Sequence, residues 1–154
     1  MPQETNPFEK LLGDLANAQV PYLTMGGVAC ALCGFVRTTE DINIIVARDS
    51  ANLEKLLSVL RSFGEGHAQE LTPADFSDEE GSIRVVEEFP LDIFVRMRGH
   101  SYEDLLPYRA WHTTPTARIP YLNAEGLILL KKDSCREKDQ IDVSALRRII
   151  QERK

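Results

Sequence analysis

The sequence predicts one α+β domain of mixed α/β type over residues 1–154, with helices flanking a mixed sheet and further helices at the C-terminus. Three observations lead to this prediction. The chain has 154 residues, which is close to the usual size of a single domain. Hydrophobic residues make up 43% of it and charged residues 27%, as in soluble globular proteins. Apolar patterns with strand and helix spacing alternate along the chain, without a repeat or a linker.

The first half of the chain contains signals for both element types. Asparagine followed by proline is typical of a helix start, because Asn6 can cap and Pro7 fits the first helical position. A double glycine, Gly26-Gly27, separates a buried strand from a helix of small residues. The predicted elements are a helix from Asn6-Pro7, a strand over 20–25, a short helix over 28–34, an isoleucine-rich strand over 41–46 and a helix from Asp49-Ser50 to residues 64–66.

The second half is predicted to add a hairpin and two final helices. Pro120 has no N–H to donate, so a strand that contains it is expected only at a sheet edge. Asn123 is typical of a helix cap. The predicted elements are a short strand near 67–71, a hairpin of 82–86 with 91–98, a short helix over 102–108, an edge strand over 118–121 and helices over 123–135 and 138–152.

The charge balance excludes some classes of function. Acidic residues outnumber basic ones by 24 to 18, and the net charge is −6. Binding to bulk nucleic acid depends on neutralising many phosphates, so it is not expected of this chain. No apolar run approaches the roughly 20 residues of a membrane span. Residues 1–6 lack the basic and apolar regions of a signal peptide, so we expect a cytoplasmic protein without membrane association.

The cysteines and histidines point to no metal or disulfide framework. Three cysteines are an odd number and do not form a disulfide framework, and three scattered histidines do not give zinc-ligand spacing. Cys30 and Cys33 have the spacing of a thiol redox pair, and this remains a weaker hypothesis for function. Their apolar surroundings favour two small buried packing residues instead.

Two predicted strands carry the residues that indicate chemistry. Strand periodicity places Asp41 and Asn43 on one face, where a shared cation would offset their cost of burial. Asp92 begins another apolar strand. Gly26-Gly27 leads into a helix N-terminus, whose free N–H groups favour an anion. Each feature alone also fits a structural role, with Asp41 as a turn residue and Asp92 as a water-facing acid.

In combination, these residues resemble the nucleotidyltransferase superfamily of the polymerase-beta type. The closer resemblance is to a small bacterial branch related to abortive-infection nucleotidyltransferases. That branch carries GG, then R-x-T-x-D-I-D, then a later strand aspartate, and a helical K…R-x-K-D-x-x-D near its end. The matching residues here are Gly26, Gly27, Arg37, Thr39, Asp41, Asp92, Lys131, Arg136, Lys138, Asp139 and Asp142.

The resemblance implies an enzyme that moves a nucleoside monophosphate from an NTP to a hydroxyl acceptor, with Mg²⁺ or Mn²⁺ as cofactor. It implies that Asp41, Asn43 and Asp92 hold the metal. Asp41 and Asp92 are the implied catalytic residues, Asp92 helping to deprotonate the acceptor. The implied nucleotide-binding residues are Gly26, Gly27, Arg37, Thr39, Lys131, Arg136, Lys138 and Asp139.

One residue departs from the family pattern. Asn43 stands where the second acid is expected, and its neutral amide is a weaker ligand for a hard cation than a carboxylate. The alternative to an active enzyme is therefore a degenerate nucleotide-binding domain, or one of toxin–antitoxin type that acts through a protein partner. The basic residues around Lys131 have their own alternative, since such a run is usually the solvated face of a helix.

Four further side chains are placed near the site by weaker signals. Arg96 and Arg98 alternate along the predicted strand and would flank the face of Asp92, unless they belong to an exposed strand end. Tyr108 and Trp111 have the aromatic character needed to stack a base. Aromatic residues near the end of a helix more often belong to the core.

Overall fold

The fold is built around a six-stranded sheet, seen in a computed structural model that describes residues 7–36, 39–63, 69–86 and 89–153. The helices are α1 (Pro7–Asn17), α2 (Gly26–Leu32), α3 (Ser50–Arg61), α4 (Tyr102–Leu105), α5 (Ala124–Lys131) and α6 (Glu137–Glu152). The strands are β1 (Tyr22–Met25), β2 (Ile42–Val46), β3 (Ser82–Val86), β4 (Pro90–Phe94), β5 (Arg96–Met97), β6 (His100–Ser101), β7 (Arg109–Thr113) and β8 (Arg118–Leu122). No helix among these is long and apolar enough to cross a membrane.

The sheet is mixed, as the sequence predicts. Its order is β3-β4-β2-β1-β8-β7, and β5 pairs with β6 in a separate ribbon. Strand β2 runs parallel to β4 and antiparallel to β1. Strand β3 forms the predicted hairpin with β4. This topology puts β2 and β4 side by side, and so brings Asp41 and Asp92 to neighbouring positions.

Helices cover both faces of the sheet, which confirms the predicted fold class. The leucine stripes of α1 and α3 pack on the face presented by Ile42, Ile44 and Ile93. The opposite face, with Leu23, Met25 and Ile45, packs against α2, α5 and α6. Because side chains alternate along a strand, Asn43, Asp92 and Arg84 lie on this second face.

The expectation that Pro120 confines its strand to a sheet edge is wrong. Strand β8 lies between β1 and β7, and Pro120 faces Trp111 of β7. The carbonyl of Pro120 accepts a 2.8 Å hydrogen bond from the hydroxyl of buried Thr24. The Pro120 carbonyl is thus paired with a side-chain donor, while its ring nitrogen has no N–H to donate. The edge strand on this side of the sheet is β7, whose polar residues did not suggest a strand.

Several other boundaries differ from the predictions, and the helix expected over 123–135 ends at Lys131. The strand expected near 67–71 is a turn over residues 69–70, and residues 67–68 lie outside the described part of the chain. The strand expected over 91–98 ends at Phe94, and residues 96–97 pair instead with His100–Ser101. Arg98 has a positive φ of 52°, which lets the chain reverse there.

Candidate active site

A row of four residues crosses the sheet from β1 through β2 and β4 to β3. Met25 is opposite Asn43, Asn43 is beside Asp92, and Asp92 is opposite Arg84. Neighbouring strands lie about 4.8 Å apart, so three polar side chains follow one another within two strand spacings. The row brings together the aspartate and asparagine that the sequence predicts, and adds an arginine that it did not.

Arg84 binds Asp92 through two parallel hydrogen bonds. Its Nε donates to Oδ1 at 2.8 Å and its Nη2 donates to Oδ2 at 2.9 Å. The side chain of Asp92 is only 9% exposed, whereas that of Arg84 is 55% exposed. The hydrogen bonds from Arg84 to Asp92 raise the pKa of the guanidinium, which is already always charged. The pair therefore joins a shielded anion to a cation that water can reach.

Asp41 converges on the same guanidinium. Its Oδ2 lies 3.9 Å from Nη2 of Arg84, the nitrogen that also donates to Asp92. Asp41 immediately precedes β2, and its side chain is 35% exposed. The two predicted catalytic carboxylates thus face one position for a cation.

This set of donors fits one divalent cation. Mg²⁺ is commonly held by one or two carboxylates together with substrate phosphates and water, which Asp41 and Asp92 can provide. Within the part of the chain that the structure describes, no group of three or more His, Cys, Asp or Glu side chains could hold a metal. Asn43 adds a neutral ligand at most, so the donors suit one ion better than two.

Asn43 packs directly against Gly26. A Cβ on Gly26 would lie 2.4 Å from Nδ2 of Asn43, and Gly26 has a φ of +65°. Both facts require glycine at this position, because other residues seldom adopt this backbone conformation. Helix α2 begins at Gly26 itself, two residues earlier than the predicted start at residue 28. The start of α2 therefore packs closely against β2 at this site.

Of the arginine and threonine predicted from the R-x-T motif, the structure describes only Thr39. Arg37 lies outside the described residues. Thr39 lies in the wall of a cavity of about 280 Å³ between α1, α2 and the β7–β8 pair. A His112–Glu9 contact of 3.3 Å lines the same cavity.

The C-terminal basic motif forms an ion-pair cluster between α5 and α6. Nζ of Lys131 lies 2.7 Å from Oδ2 of Asp142 and 3.3 Å from Oδ1 of Asp139. The side chain of Asp142 is fully buried. The hydroxyl of Ser134 donates to Oδ2 of Asp139 at 2.7 Å. Lys131 therefore already has two carboxylate partners, and its contact with phosphate stays a prediction.

The remaining residues of this motif occupy the start of α6. Arg136 is the N-cap residue, and Lys138 is exposed in the first turn. Burial acts to raise the pKa of Asp139, but the Ser134 hydrogen bond and the Lys131 ammonium together outweigh it, and the pKa falls below its ordinary value. Asp139 is thus held as an anion that anchors Lys131.

The weaker candidates do not join the row. Arg96 binds Asp78 at 3.1 Å and the carbonyl of Gly99, so the chain turns it away from Asp92. Trp111 is 42% exposed instead of belonging to the core. The guanidiniums of Arg109 and Arg118 lie over its ring, at 4.7 and 4.5 Å from the centroid.

Cys30 and Cys33 have the character of packing residues, whereas Cys135 is exposed. Cys30 is fully buried, and the Cys33 thiol lies 3.6 Å from the carbonyl of Leu122. Burial, with a smaller contribution from Cys30, raises the pKa of Cys33 to about 12. Exchange chemistry needs a thiolate near neutral pH, so this environment disfavours the redox hypothesis.

Arg84 is the site residue that the sequence analysis missed. The sequence did carry a signal for it, because Arg84 alternates with the apolar Ile83 and Val85 in a predicted hairpin. Because Arg84 pairs with Asp92 in the hairpin register, the two side chains lie on the same face of the sheet. The exact register was needed to place the two side chains opposite each other.

Comparison with known proteins supports the fold. The sequence matches no known protein-family model and no curated protein. Its structure is similar to the crystal structure of a "putative nucleotidyltransferase" from Thermotoga maritima, with a TM-score of 0.55 and 19% sequence identity. The similarity covers 94% of this chain and 91% of that one. The chain therefore has a nucleotidyltransferase-like fold.

Proposed function

We propose that this chain is a magnesium-dependent nucleotidyltransferase that moves a nucleoside monophosphate from an NTP to a hydroxyl acceptor. The observation that carries the proposal is the convergence of Asp41, just before β2, and Asp92, in the middle of β4, on one cation position. The fold shared with the Thermotoga maritima protein supports it. The acidic net charge favours a small-molecule or protein acceptor over RNA.

The proposed reaction forms a bond from the acceptor oxygen to the α-phosphorus and breaks the bond from the α-phosphorus to the bridging oxygen. Pyrophosphate leaves, and the hydroxyl proton passes to the Asp92 carboxylate and then to water. Bound Mg²⁺ would neutralise phosphate charge and polarise the reacting oxygens. Asp41 and Asp92 would hold that ion, and the backbone at Gly26 and Gly27 would bind the triphosphate.

A second candidate function is a catalytically degenerate domain that binds a nucleotide or a protein partner. Two observations favour it. Asn43 replaces an acid, and Arg84 already neutralises one of the two remaining carboxylates. The site then carries one net negative charge instead of the three of an all-aspartate set. A weaker electrostatic field holds a divalent ion less firmly.

Asn43→Asp distinguishes the two candidates. The measurement is transfer of label from each α-³²P-NTP to fractionated small molecules, protein and RNA, with Mg²⁺ present. An active enzyme gives wild-type transfer that Asn43→Asp changes by less than about tenfold, because the wild-type site already binds the necessary ion. Glu54→Gln, on the exposed surface of α3, is the control for handling and folding.

The opposite pattern would support degeneracy. In that case the wild type transfers no label to any fraction, and Asn43→Asp gains turnover because it restores a carboxylate. The change keeps the size of the side chain, so contact with Gly26 is retained. Wild-type transfer that persists without any divalent ion would contradict the proposed mechanism.

A further inference from the structure

Arg84 joins the acidic pair from a position that solvent can reach. It lies on edge strand β3, and its side chain is more than half exposed. Asp92, by contrast, is shielded on β4. Such an arrangement lets the guanidinium leave the carboxylate for water, whereas Asp92 cannot follow it. The mobile partner of this pair is therefore the cation.

We propose that Arg84 is a resident counter-ion, which a divalent cation displaces from Asp92 and Asp41 and which then binds the phosphates of the incoming nucleotide. The first half of this proposal concerns the cation alone. The second half rests on the proposed function. Together they assign Arg84 as a positioning residue that regulates access to the site.

Competition follows from shared atoms and like charge. Both carboxylate oxygens of Asp92 accept hydrogen bonds from Arg84, and Nη2 of Arg84 lies between Asp92 and Asp41. A divalent cation held by these two carboxylates would occupy the region of that nitrogen. Two positive groups so close together repel strongly in a partly shielded site. The cation and Arg84 therefore exclude each other.

The same displacement gives Arg84 a new partner. A guanidinium has a planar array of donors that suits phosphate as well as carboxylate. Asp92 is one strand away from Arg84, so a phosphate bound to the cation at Asp92 comes within reach of the released side chain. The nucleotide would replace the anionic partner that Arg84 loses.

Coupling between metal and nucleotide is the expected consequence. A metal ion that arrives alone must displace Arg84 with no compensating anion. A metal ion that arrives with a triphosphate leaves Arg84 with a new partner. Wild-type protein should therefore bind Mn²⁺ weakly alone and more tightly with a non-hydrolysable NTP analogue, and linkage makes this effect reciprocal.

The test is a titration of Mn²⁺ without nucleotide, followed by the electron paramagnetic resonance signal of the free ion. Arg84→Met should bind Mn²⁺ at least about tenfold more tightly than wild type, because a competing positive charge is removed. Arg147→Met removes an exposed charge on α6 and should match wild type. Arg84→Met combined with Asp92→Asn should lose the gain, which assigns it to this site.

Several outcomes would overturn the proposal. Folded Arg84→Met that binds Mn²⁺ no more tightly than wild type contradicts the competition. Arg84→Gln keeps hydrogen-bond donors without the charge and should show the same gain in Mn²⁺ affinity. It replaces Arg84→Met in the titration if Arg84→Met is unfolded. Should both variants fold only with Mn²⁺, the ion has replaced Arg84 as proposed. Should neither fold even with millimolar Mn²⁺, Arg84 is a purely structural residue and the proposal fails.

The titration separates this proposal from the proposed function. It contains no nucleotide, so a gain in Mn²⁺ affinity stands even if no transfer is ever detected. A fully active wild-type enzyme with no gain in Arg84→Met would overturn the role of Arg84 alone. The coupling measurement adds a third readout, since the NTP analogue should raise Mn²⁺ affinity less in Arg84→Met than in wild type.

Discussion

Asp92→Asn should lower the rate of nucleotidyl transfer by at least about 100-fold, the size of effect seen when one electrostatic contact to a transition state is lost. Asp92 is shielded, lies beside Asn43 in the sheet and is the proposed proton acceptor. An amide at this position can neither accept the proton nor hold a divalent cation well. No other carboxylate on the row can take its place.

The fold of Asp92→Asn should survive. Asparagine keeps the size of the side chain, and Arg84 can return its guanidinium to water because it is more than half exposed. The measurement is steady-state pyrophosphate release, together with circular dichroism to establish folding. Glu54→Gln, with the same change from acid to amide on the surface of α3, should keep the wild-type rate. A folded Asp92→Asn with more than a tenth of the wild-type rate would remove Asp92 from the chemistry.

Asp142→Ala should lower the free energy of unfolding by about 3–5 kcal/mol, the usual effect of removing one partner from a buried ion pair. Asp142 is fully buried and lies 2.7 Å from Nζ of Lys131. Its loss leaves the Lys131 ammonium in a shielded place between α5 and α6. Chemical denaturation measures the change directly, and the melting temperature should fall by roughly 10 °C or more for a domain of this size.

Two comparisons show whether the effect belongs to the ion pair. Asp133→Ala, in the exposed turn between α5 and α6, should change stability by less than about 0.5 kcal/mol. Lys131→Met combined with Asp142→Leu replaces the pair by apolar side chains and should be more stable than Asp142→Ala. If Asp142→Ala proves as stable as Asp133→Ala, the ion pair between Asp142 and Lys131 does not stabilise the fold.

The sequence predicts the fold class well because hydrophobic spacing controls most elements. The leucine stripes of α1 and α3 and the isoleucines of β2 predict which residues are buried and which face of each element meets the core. The polar strand β7 has no such stripe, so it was missed, and β8 was wrongly assigned to the edge. The Pro120 carbonyl accepts a hydrogen bond from Thr24, ninety-six residues away, and no local pattern predicts this partner.

The features of the candidate site also divide into those that local sequence predicts and those that it does not. Residue type and spacing were enough to select Asp41, Asn43 and Asp92, and strand pairing then places Asn43 beside Asp92. Ion pairs across elements were not predictable in this way. The partners of Arg84 depend on hairpin register, and those of Lys131 on how α5 packs against α6. Local sequence indicates what a side chain is able to do, whereas tertiary packing decides what it contacts.

Asp41 and Asp92 are proposed to bind a magnesium–NTP complex, and thermal unfolding measures this binding without any need for catalysis. The melting temperature would be measured with each of the four NTPs, with and without Mg²⁺, for wild type, Asp41→Asn and Glu54→Gln. A ligand at 100 times its Kd adds about 2.7 kcal/mol to the native state. We predict a rise of roughly 5–10 °C with at least one NTP, only with Mg²⁺, in wild type and Glu54→Gln but not in Asp41→Asn. No rise with any NTP at millimolar concentration, or an equal rise in Asp41→Asn, would contradict the claim.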